Sequence, residues 1–253
     1  MRELLINADD FGISLPVNRA ISYCFEKKLI QRTTLMVNMP HTEDAVEIAY
    51  CKGFEGKVGL HLNLVEGIPL TNAIRHTIFC DDNGYFNGNL FRSKKNMLLL
   101  SLRVREALSE EIEAQILKYK QYGFTLMHID SHHHFHTYPS IFFTLYPLLS
   151  KYNFMTIRLS RNIPQSDIKG FKLLYKKMLN KKMLSFNENA QKATQANITK
   201  FGSQKDVEKE LTQHKKIKGF IEVEVHPSML NGVLIDLYNP LNIEEWLNKY
   251  DII

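Results

Sequence analysis

The sequence of 253 residues is poor in cysteine and has no long apolar run. Its three cysteines (Cys24, Cys51 and Cys80) form no CxxC pair, so we expect reduced, mostly buried thiols in a cytosolic protein, with one structural disulfide as the alternative. No apolar run approaches the roughly 20 residues that span a bilayer. The first apolar run meets Asp9-Asp10 too soon for a signal peptide. These absences predict a cytoplasmic location and no membrane partner.

The sequence also lacks the familiar short motifs of several enzyme classes. It has no GxSxG nucleophile elbow, no Walker A loop, no GxGxxG turn and no HExxH helix. Serine hydrolysis on an α/β-hydrolase fold, P-loop chemistry and dinucleotide binding are therefore not indicated. Any catalytic centre has to be sought in other polar clusters.

The composition permits a large core, because 44% of the residues are apolar and 11% aromatic. The formal net charge is +5, and residues 169–218 hold thirteen lysines, four acidic residues and no arginine. This segment is either a surface for an anion or nucleic acid, or a solvated helical face. We favour the solvated face and expect no nucleic-acid partner, because phosphate and base recognition usually recruits arginine.

Short β-rich runs alternate with helical patterns along the chain, which predicts βαβ units and a parallel sheet. One helix should begin near Pro16, and another should be capped by Ser109 and stopped by Gly123. Residues 71–105 fit no single element and are expected to form an excursion over the site. The predicted strands are LLINA (4–8), TTLMVN (33–38), KVGLHLNL (57–64), TLMHID (125–130), MTIRLS (155–160) and GFIEVEVH (219–226).

Polar groups collect where these predicted strands end. Asp9-Asp10 follows the first strand, His61 lies in the third, and His226 closes the last. An α/β barrel gathers its active site at the carboxyl ends of its strands, and an open doubly wound sheet places its ligand there too. Because the polar groups are spread over first, middle and last strands, we favour the barrel.

The segment HIDSHHHFH (128–136) carries five of the ten histidines. If the run is extended, His132, His134 and His136 point one way and His133 the other, so two or three imidazoles can meet one ion. A polar surface loop is the alternative. A cluster this dense, directly after a strand, favours metal binding.

Two adjacent carboxylates at Asp9-Asp10 indicate a cation site, because each raises the proton affinity of the other unless a cation intervenes. Taken alone, one aspartate could be a helix cap, and His61 could be a buried histidine without a ligand role. Together, one carboxylate and two imidazoles can hold a divalent ion with positions left open for water and substrate. The second aspartate could then act as a base and His226 as an acid. The residues predict a metal hydrolase of a carbonyl compound or phosphoester.

Four segments resemble the YdjC-like carbohydrate deacetylases, the family that includes chitooligosaccharide deacetylase. They are LLINADDFGIS (4–14), VGLHLNLVEGIPL (58–70), HIDSHHHFH (128–136) and EVEVHPS (222–228). The resemblance implies a single domain over 1–253, built as a TIM-like (β/α) barrel of seven or eight strands related to the polysaccharide deacetylases. It also implies a homodimer.

The resemblance further implies the roles of individual residues. A divalent metal, usually magnesium, would be held by Asp10, His61 and His132. Asp9 would deprotonate the metal-bound water that attacks the acetyl carbonyl of an N-acetylated sugar, and His226 would protonate the leaving amine. Two imidazoles would also suit zinc or another transition metal.

Three further positions complete this expectation. Arg158 would orient the base, and His134 would bind or orient the substrate. The family's HPG reads His226-Pro227-Ser228 here, and serine adopts a positive φ less readily than glycine. The alternative functions are a metal hydrolase of another amide or phosphoester, and a non-catalytic sugar-binding barrel.

Overall fold

The computed structural model describes residues 4–88, 98–162, 170–190, 198–203, 220–238 and 243–248. The strands are β1 Leu4–Phe11, β2 Arg32–Leu35, β3 Val58–Leu62, β4 His128–Ser131, β5 Thr156–Ile157, β6 Ile198–Ser203, β7 Phe220–Val225, β8 Pro227–Leu230 and β9 Val233–Asp236. The α-helices are α1 Leu15–Glu26, α2 Thr42–Cys51, α3 Asn72–Arg75, α4 Leu102–Gln121, α5 Pro139–Lys151, α6 Phe171–Ala190 and α7 Ile243–Asn248. Two 3-10 segments span Glu55–Lys57 and His132–Thr137.

Strands β1 to β7 form one sheet in the order β5-β4-β3-β2-β1-β7-β6, and every paired neighbour is parallel. This confirms the predicted α/β class. Parallel sheets are covered on both faces, and the strand interiors are accordingly apolar: Ile6, Leu60, Ile129 and Val223 are fully buried.

The predicted closed barrel of seven or eight strands is wrong. Within the described residues, β5 pairs only with β4 and β6 only with β7, so the sheet stays open. It is nevertheless strongly curled. Arg158 follows β5 and Glu222 lies on β7, five strand positions away, which is about 24 Å in a flat sheet. Their side chains are in contact, with Arg158 Nε 2.8 Å from Glu222 Oε1. The sequence pattern shows which strand ends are polar, but closure depends on edge pairing that it does not encode.

The helix at Pro16 is confirmed as α1. Ser14 caps it by accepting from Val17 N, Pro16 lies in its first turn, and Val17 and Ile21 are buried against the sheet. The predicted start at Ser109 is wrong, because α4 begins at Leu102 with Ser101 as its cap.

The start of α4 was misplaced because Ser109-Glu110-Glu111 resembles an N-terminal cap. The turn before it already buries Ala107 and Leu108 and is therefore part of the helix. Gly123 does follow the helix end, at φ +78°. Within 71–105, α3 packs against α4, and Glu111 accepts hydrogen bonds from the backbone N–H groups of Leu70 and Thr71. Residues 89–97 of the predicted excursion lie outside the described residues.

Two features of the C-terminal part were not predicted from sequence. One is β6, and the other is the β8–β9 hairpin, which turns at Asn231-Gly232 with φ of 50° and 78°. Asn-Gly is the residue pair that favours a two-residue hairpin turn. The hairpin begins directly after His226 and helps to fix the position of that residue.

The three cysteines are free, in agreement with the expectation of reduced thiols. The expectation that they are mostly buried is wrong, because only Cys24 is buried, whereas Cys80 is half-buried and Cys51 is exposed. In α6, the lysines at 172, 177, 181 and 182 are exposed, as a solvated helical face requires. Residues 191–197 and 204–219 of the lysine-rich segment lie outside the described residues. None of the helices that the structure describes is long and apolar enough to cross a membrane.

Candidate active site

The curl of the sheet gathers polar residues from the carboxyl ends of β1, β3, β4, β5 and β7 into one pocket of about 340 Å³. Its lining residues are Asp9, His61, His132, His133, His134, Arg161, Glu224, His226 and Tyr238. The placement of polar groups at the strand ends, predicted from sequence, is therefore confirmed.

Asp9 and Asp10 both reach this site, although neighbouring strand residues normally point to opposite faces. The β1–β2 register shifts between Ala8 and Phe11, and Asp10 has φ +67°. Such a bulge re-aims a side chain, and a non-glycine residue at positive φ is strained. The local irregularity thus turns the second carboxylate back into the pocket beside the first.

Asp10, His61 and His132 form a compact buried cluster. Asp10 Oδ1 lies 3.1 Å from His61 Nε2 and 2.8 Å from His132 Nδ1. The three residues each offer one ligand atom within 4.8 Å of the others. Ligands about 2.0–2.2 Å from an ion are about 3 Å apart when adjacent. The spacing of the three side chains fits a single divalent cation.

The surroundings of the cluster also fit a cation. The other ring nitrogen of His61, Nδ1, lies 2.6 Å from Asp130 Oδ1 and 3.1 Å from Thr34 Oγ1. A metal-binding histidine usually has such an outer carboxylate, which fixes its orientation. On the open side, Glu66 Oε1 lies 3.5 Å from His132 Nε2.

The balance of charge points the same way. Five buried carboxylates face three guanidinium groups in and beneath the pocket, an excess of two negative charges when all are ionised. The carboxylates are Asp9, Asp10, Asp130, Glu222 and Glu224, and the guanidinium groups are Arg32, Arg158 and Arg161. Buried charges need partners, and protonated histidines or a bound cation can supply the remaining positive charge.

Protons on the two histidines can supply those charges when no cation is bound. Burial opposes the charged form of His61, but Asp130, Asp10 and Asp9 raise its pKa to about 10. Burial also opposes the charge on His132, whose pKa the carboxylates of Asp10 and Glu66 raise to about 9. Burial would raise the pKa of Asp10, yet hydrogen bonds from both histidines hold it well below its usual range. A divalent cation would take the place of these two protons.

Asp9 is held in a fixed orientation beside the cluster. Arg158 donates to both of its oxygens, from Nη1 to Oδ2 at 2.6 Å and from Nη2 to Oδ1 at 2.7 Å. Asn7 Nδ2 donates to Oδ1 at 2.7 Å. On the pocket side, His226 Nε2 lies 3.9 Å from Asp9 Oδ2. A bidentate guanidinium contact fixes the plane of the carboxylate.

Beneath Asp9 the same arginine belongs to a buried network. Arg158 Nη2 lies 2.7 Å from Asp130 Oδ2, and its Nε donates to Glu222 Oε1 at 2.8 Å. Arg32 Nη2 donates to the same Glu222 oxygen at 2.6 Å, and Arg32 Nε donates to Asn7 Oδ1. The network links the hydrogen-bond partners of Asp9 to those of His61.

The histidine run is not extended, so the predicted alternation of its side chains is wrong. Residues 132–137 form a 3-10 segment in which His133 and His134 have φ of 53° and 55°. His132 reaches Asp10, whereas His134 Nε2 lies 2.9 Å from Glu224 Oε2 across the pocket. The left-handed pair of residues therefore sends neighbouring imidazoles to opposite walls.

The other two histidines of the run serve the core. His136 is buried between Ser131 Oγ at 2.6 Å and the carbonyl of Arg158 at 3.0 Å. His128 Nδ1 lies 2.7 Å from Thr156 Oγ1, between neighbouring strands. Of the five histidines, only His132 lies in the cation cluster.

The β8–β9 hairpin holds His226 at the pocket rim. Asp236 Oδ2 accepts from His226 N at 3.0 Å, and its Oδ1 accepts from Tyr238 N at 2.9 Å. The rings of His226 and Tyr238 meet edge to face with centroids 4.4 Å apart. Ser228 lies within β8 and is not among the residues of positive φ, so this position does not require glycine.

The structure therefore brings together Asp9, Asp10, His61, His132 and His226, with Arg158 directly behind them. His134 lies in the same pocket but on another wall. Five pocket or rim residues were not assigned a role from sequence, namely Glu66, His133, Arg161, Glu224 and Tyr238. Glu224 carried a signal, since it shares a strand face with His226. Arg161 and Tyr238 lie in segments without a motif.

A family model for YdjC-like protein matches residues 3–246, which is nearly the whole chain. The chain belongs to the YdjC-like protein family. This confirms the resemblance of the four sequence segments. The chain is also similar to three relatives that carry the name carbohydrate deacetylase.

The relative from Thermoanaerobacter pseudethanolicus is 31% identical over 156 residues, 60% of this chain and 59% of that protein. The relative from Vibrio cholerae is 36% identical over 152 residues, 60% of this chain and 56% of that protein. The relative from Halalkalibacterium halodurans is 36% identical over 164 residues, 64% and 66% of the two chains. Each match spans less than two thirds of the relative's length.

One solved structure shares the fold of this YdjC-like chain. It is a protein from Enterococcus faecalis described as a cellobiose-phosphate cleavage protein, with a TM-score of 0.64 and 22% sequence identity. The superposition covers 90% of this chain and 82% of the other. At this identity the likeness concerns the fold alone.

Proposed function

We propose that this chain is a metal-dependent carbohydrate deacetylase, which hydrolyses the acetamido group of an N-acetylated amino sugar or oligosaccharide. One observation carries the proposal. The buried cluster of Asp10, His61 and His132 opens into the same pocket as Asp9 and His226, so a cation site, a base and an acid share one space. Family membership and the names of the relatives support the carbohydrate substrate.

Asp10, His61 and His132 would hold the cation. When bound, a divalent ion polarises a carbonyl oxygen and lowers the pKa of water. Magnesium is the expectation from the resemblance, and the two imidazole ligands suit zinc or another transition metal as well. Both ions therefore have to be tested.

The chain's own groups divide the proton transfers between them. Asp9 accepts a proton from the attacking water, in an orientation fixed by Arg158. His226 lies on the pocket side of Asp9, with its Nε2 3.9 Å from Asp9 Oδ2, and donates a proton to the sugar nitrogen as the C–N bond breaks. Acetate and the free amine are the products. The hairpin contact from Asp236 keeps the imidazole at the rim, where the leaving group departs.

The experiment is acetate release from N-acetylglucosamine, N,N′-diacetylchitobiose and longer N-acetyl oligosaccharides, with metal-stripped protein and added magnesium or zinc. Asp9→Asn should retain the metal and lose about 10²–10⁴-fold in turnover, as expected for loss of a general base. His132→Ala should lose metal binding. Asp82→Asn, a change of the same chemistry at an exposed aspartate, is the matched control.

Metal-dependent acetate release that disappears in Asp9→Asn would support the proposal. Full activity in Asp9→Asn would remove this residue from the role of base. Folded, metal-loaded protein that releases no acetate from any sugar would overturn the deacetylase proposal. Hydrolysis of another amide or phosphoester, or sugar binding without turnover, would then replace it.

A further inference from the structure

The pocket has a second polar wall that the proposed proton transfers do not use. Glu224, on β7, lies between Arg161 and His134, with Arg161 Nη2 2.5 Å from its Oε1 and His134 Nε2 2.9 Å from its Oε2. We call these three residues the outer wall. They come from three separate segments of the chain, which meet only because the sheet curls.

The exposed fractions of the side chains show that one end of the pocket is deep and the other is open to solvent. The side chains of Asp9, His61 and His132 are 2%, 1% and 4% exposed, whereas those of Arg161 and His134 are 27% and 33% exposed. A substrate whose acetamido carbon reaches the deep cluster must therefore place the rest of the molecule against the outer wall.

The charged groups of the outer wall indicate which chemical groups the rest of the substrate carries. Burial opposes ionisation of Glu224, but the nearby charges of His134, Arg158 and His226 hold its pKa below the usual range. The carboxylate is thus held between the guanidinium of Arg161 on one side and the ring of His134 on the other. The Glu224 side chain is 5% exposed and holds the guanidinium of Arg161, which is 27% exposed and offers N–H donors to the hydroxyl groups of a neutral sugar.

Backbone strain supports a role beyond filling space. His133 and His134 are consecutive residues at positive φ, a conformation that costs energy for residues other than glycine. That conformation is what carries His134 across to Glu224. The half-exposed ring of Tyr238 adds an apolar face at the same end of the pocket, of the kind that packs on a sugar ring.

We propose that the outer wall binds the ring hydroxyl groups of the sugar, with Arg161 and Glu224 as specificity-determining residues. This inference rests on the proposed function. It predicts that the two residues distinguish a pyranose substrate from an acyclic N-acetyl amine, and that they contribute little to bond cleavage itself.

The test compares N-acetylglucosamine and N,N′-diacetylchitobiose with N-acetylethanolamine, which has the same amide and no ring. Arg161→Met should raise KM for both sugars about tenfold or more, because a hydrogen bond to a charged group is lost, and should leave kcat within about threefold. The acyclic substrate should show no change in kcat/KM. Glu224→Gln is the second variant, and Arg105→Met, at an exposed position on α4, is the matched control.

Equal losses on the sugars and the acyclic amide would overturn the inference, because the wall would then serve the reaction centre generally. Unchanged KM for the sugars in both variants would overturn it too. If wild-type protein releases no acetate at all, the proposed function fails separately, and the wall is tested by calorimetric binding of N-acetylglucosamine to metal-loaded protein. Binding weakened about tenfold by Arg161→Met supports the wall. Unchanged or undetectable binding overturns it.

Discussion

The floor of the pocket and its mouth are both rich in charge, but they are built differently. The floor consists of side chains that are almost fully buried and joined to one another, namely Asn7, Arg32, Asp130, Arg158 and Glu222. The mouth consists of side chains that are partly exposed and have fewer contacts across the pocket, namely Glu66, His133, His134, Arg161 and Tyr238.

This difference indicates that the floor fixes the geometry of the site and that the mouth can vary. Taking charges out of water costs several kcal/mol per ion, about what good pairing returns, so a buried network tolerates little rearrangement. At the mouth, water screens the charges and a side chain can move at small cost. The floor should therefore determine stability and metal affinity, and the mouth should determine which substrate enters.

The largest expected effect is the loss of the Arg158 guanidinium, the positive charge at the centre of the floor. Arg158→Met leaves Asp9, Asp130 and Glu222 without their shared partner and should lower the free energy of unfolding by about 3–5 kcal/mol. Arg161→Met, the same change at the mouth, should cost at most about 2 kcal/mol. Urea unfolding of metal-stripped protein measures both. Equal losses in the two variants would contradict the distinction between floor and mouth.

The next effect concerns the outer carboxylate of the cation cluster. Asp130→Asn removes the charge that orients His61 through Nδ1 and should weaken metal binding by about 10–100-fold. A chelator competition assay measures it. Because Asp130 also contacts Arg158, the folded fraction has to be checked by unfolding at the same pH. Unchanged affinity in folded protein would show that His61 needs no such partner.

A buried histidine next to the floor, His136, predicts how stability depends on pH. Burial, with a smaller contribution from His134, lowers the pKa of His136 to about 3 from its usual 6.5. The unfolded chain therefore takes up a proton below about pH 6.5 that the folded chain does not, and stability must fall as the pH falls. For this histidine the loss is about 1.4 kcal/mol per pH unit.

His136→Asn should flatten that slope by the same amount between pH 6 and pH 5, measured by urea unfolding of metal-loaded protein. Its partners Ser131 and the carbonyl of Arg158 remain available to an amide side chain, which favours a folded variant. A slope identical to that of wild type would show that His136 is protonated in the folded state.

Much of the candidate site could be predicted from sequence, because strand ends are visible as apolar runs that stop at polar residues. Asp9, Asp10, His61 and His226 were placed on this basis, and the structure brings them to one pocket. Arg32 was missed. A single arginine at the start of a strand resembles a surface residue, and only the pairing with Glu222 across the curled sheet shows that it is buried.

The mouth could hardly be predicted, for two physical reasons. Its residues depend on backbone conformations without a clear sequence signal, such as the left-handed pair His133-His134. They also depend on the curl, which brings Arg161 after β5 to Glu224 on β7 although the two strands do not pair. The barrel prediction was wrong for a related reason, because pairing between the edge strands β5 and β6 also depends on three-dimensional structure that the sequence pattern does not show.

The smallest expected effect concerns Glu66, the carboxylate at the mouth that lies beside His132 as Asp130 lies beside His61 in the floor. Glu66 approaches His132 Nε2 at 3.5 Å, as Asp130 approaches His61 Nδ1 at 2.6 Å, but the Glu66 side chain is 47% exposed. Screening by water should leave Glu66→Gln with a loss of metal affinity of about tenfold or less and with unchanged stability. The chelator competition used for Asp130→Asn measures it. A loss as large as that of Asp130→Asn would mean that Glu66 closes over the bound cation, and the mouth would then share in holding the metal.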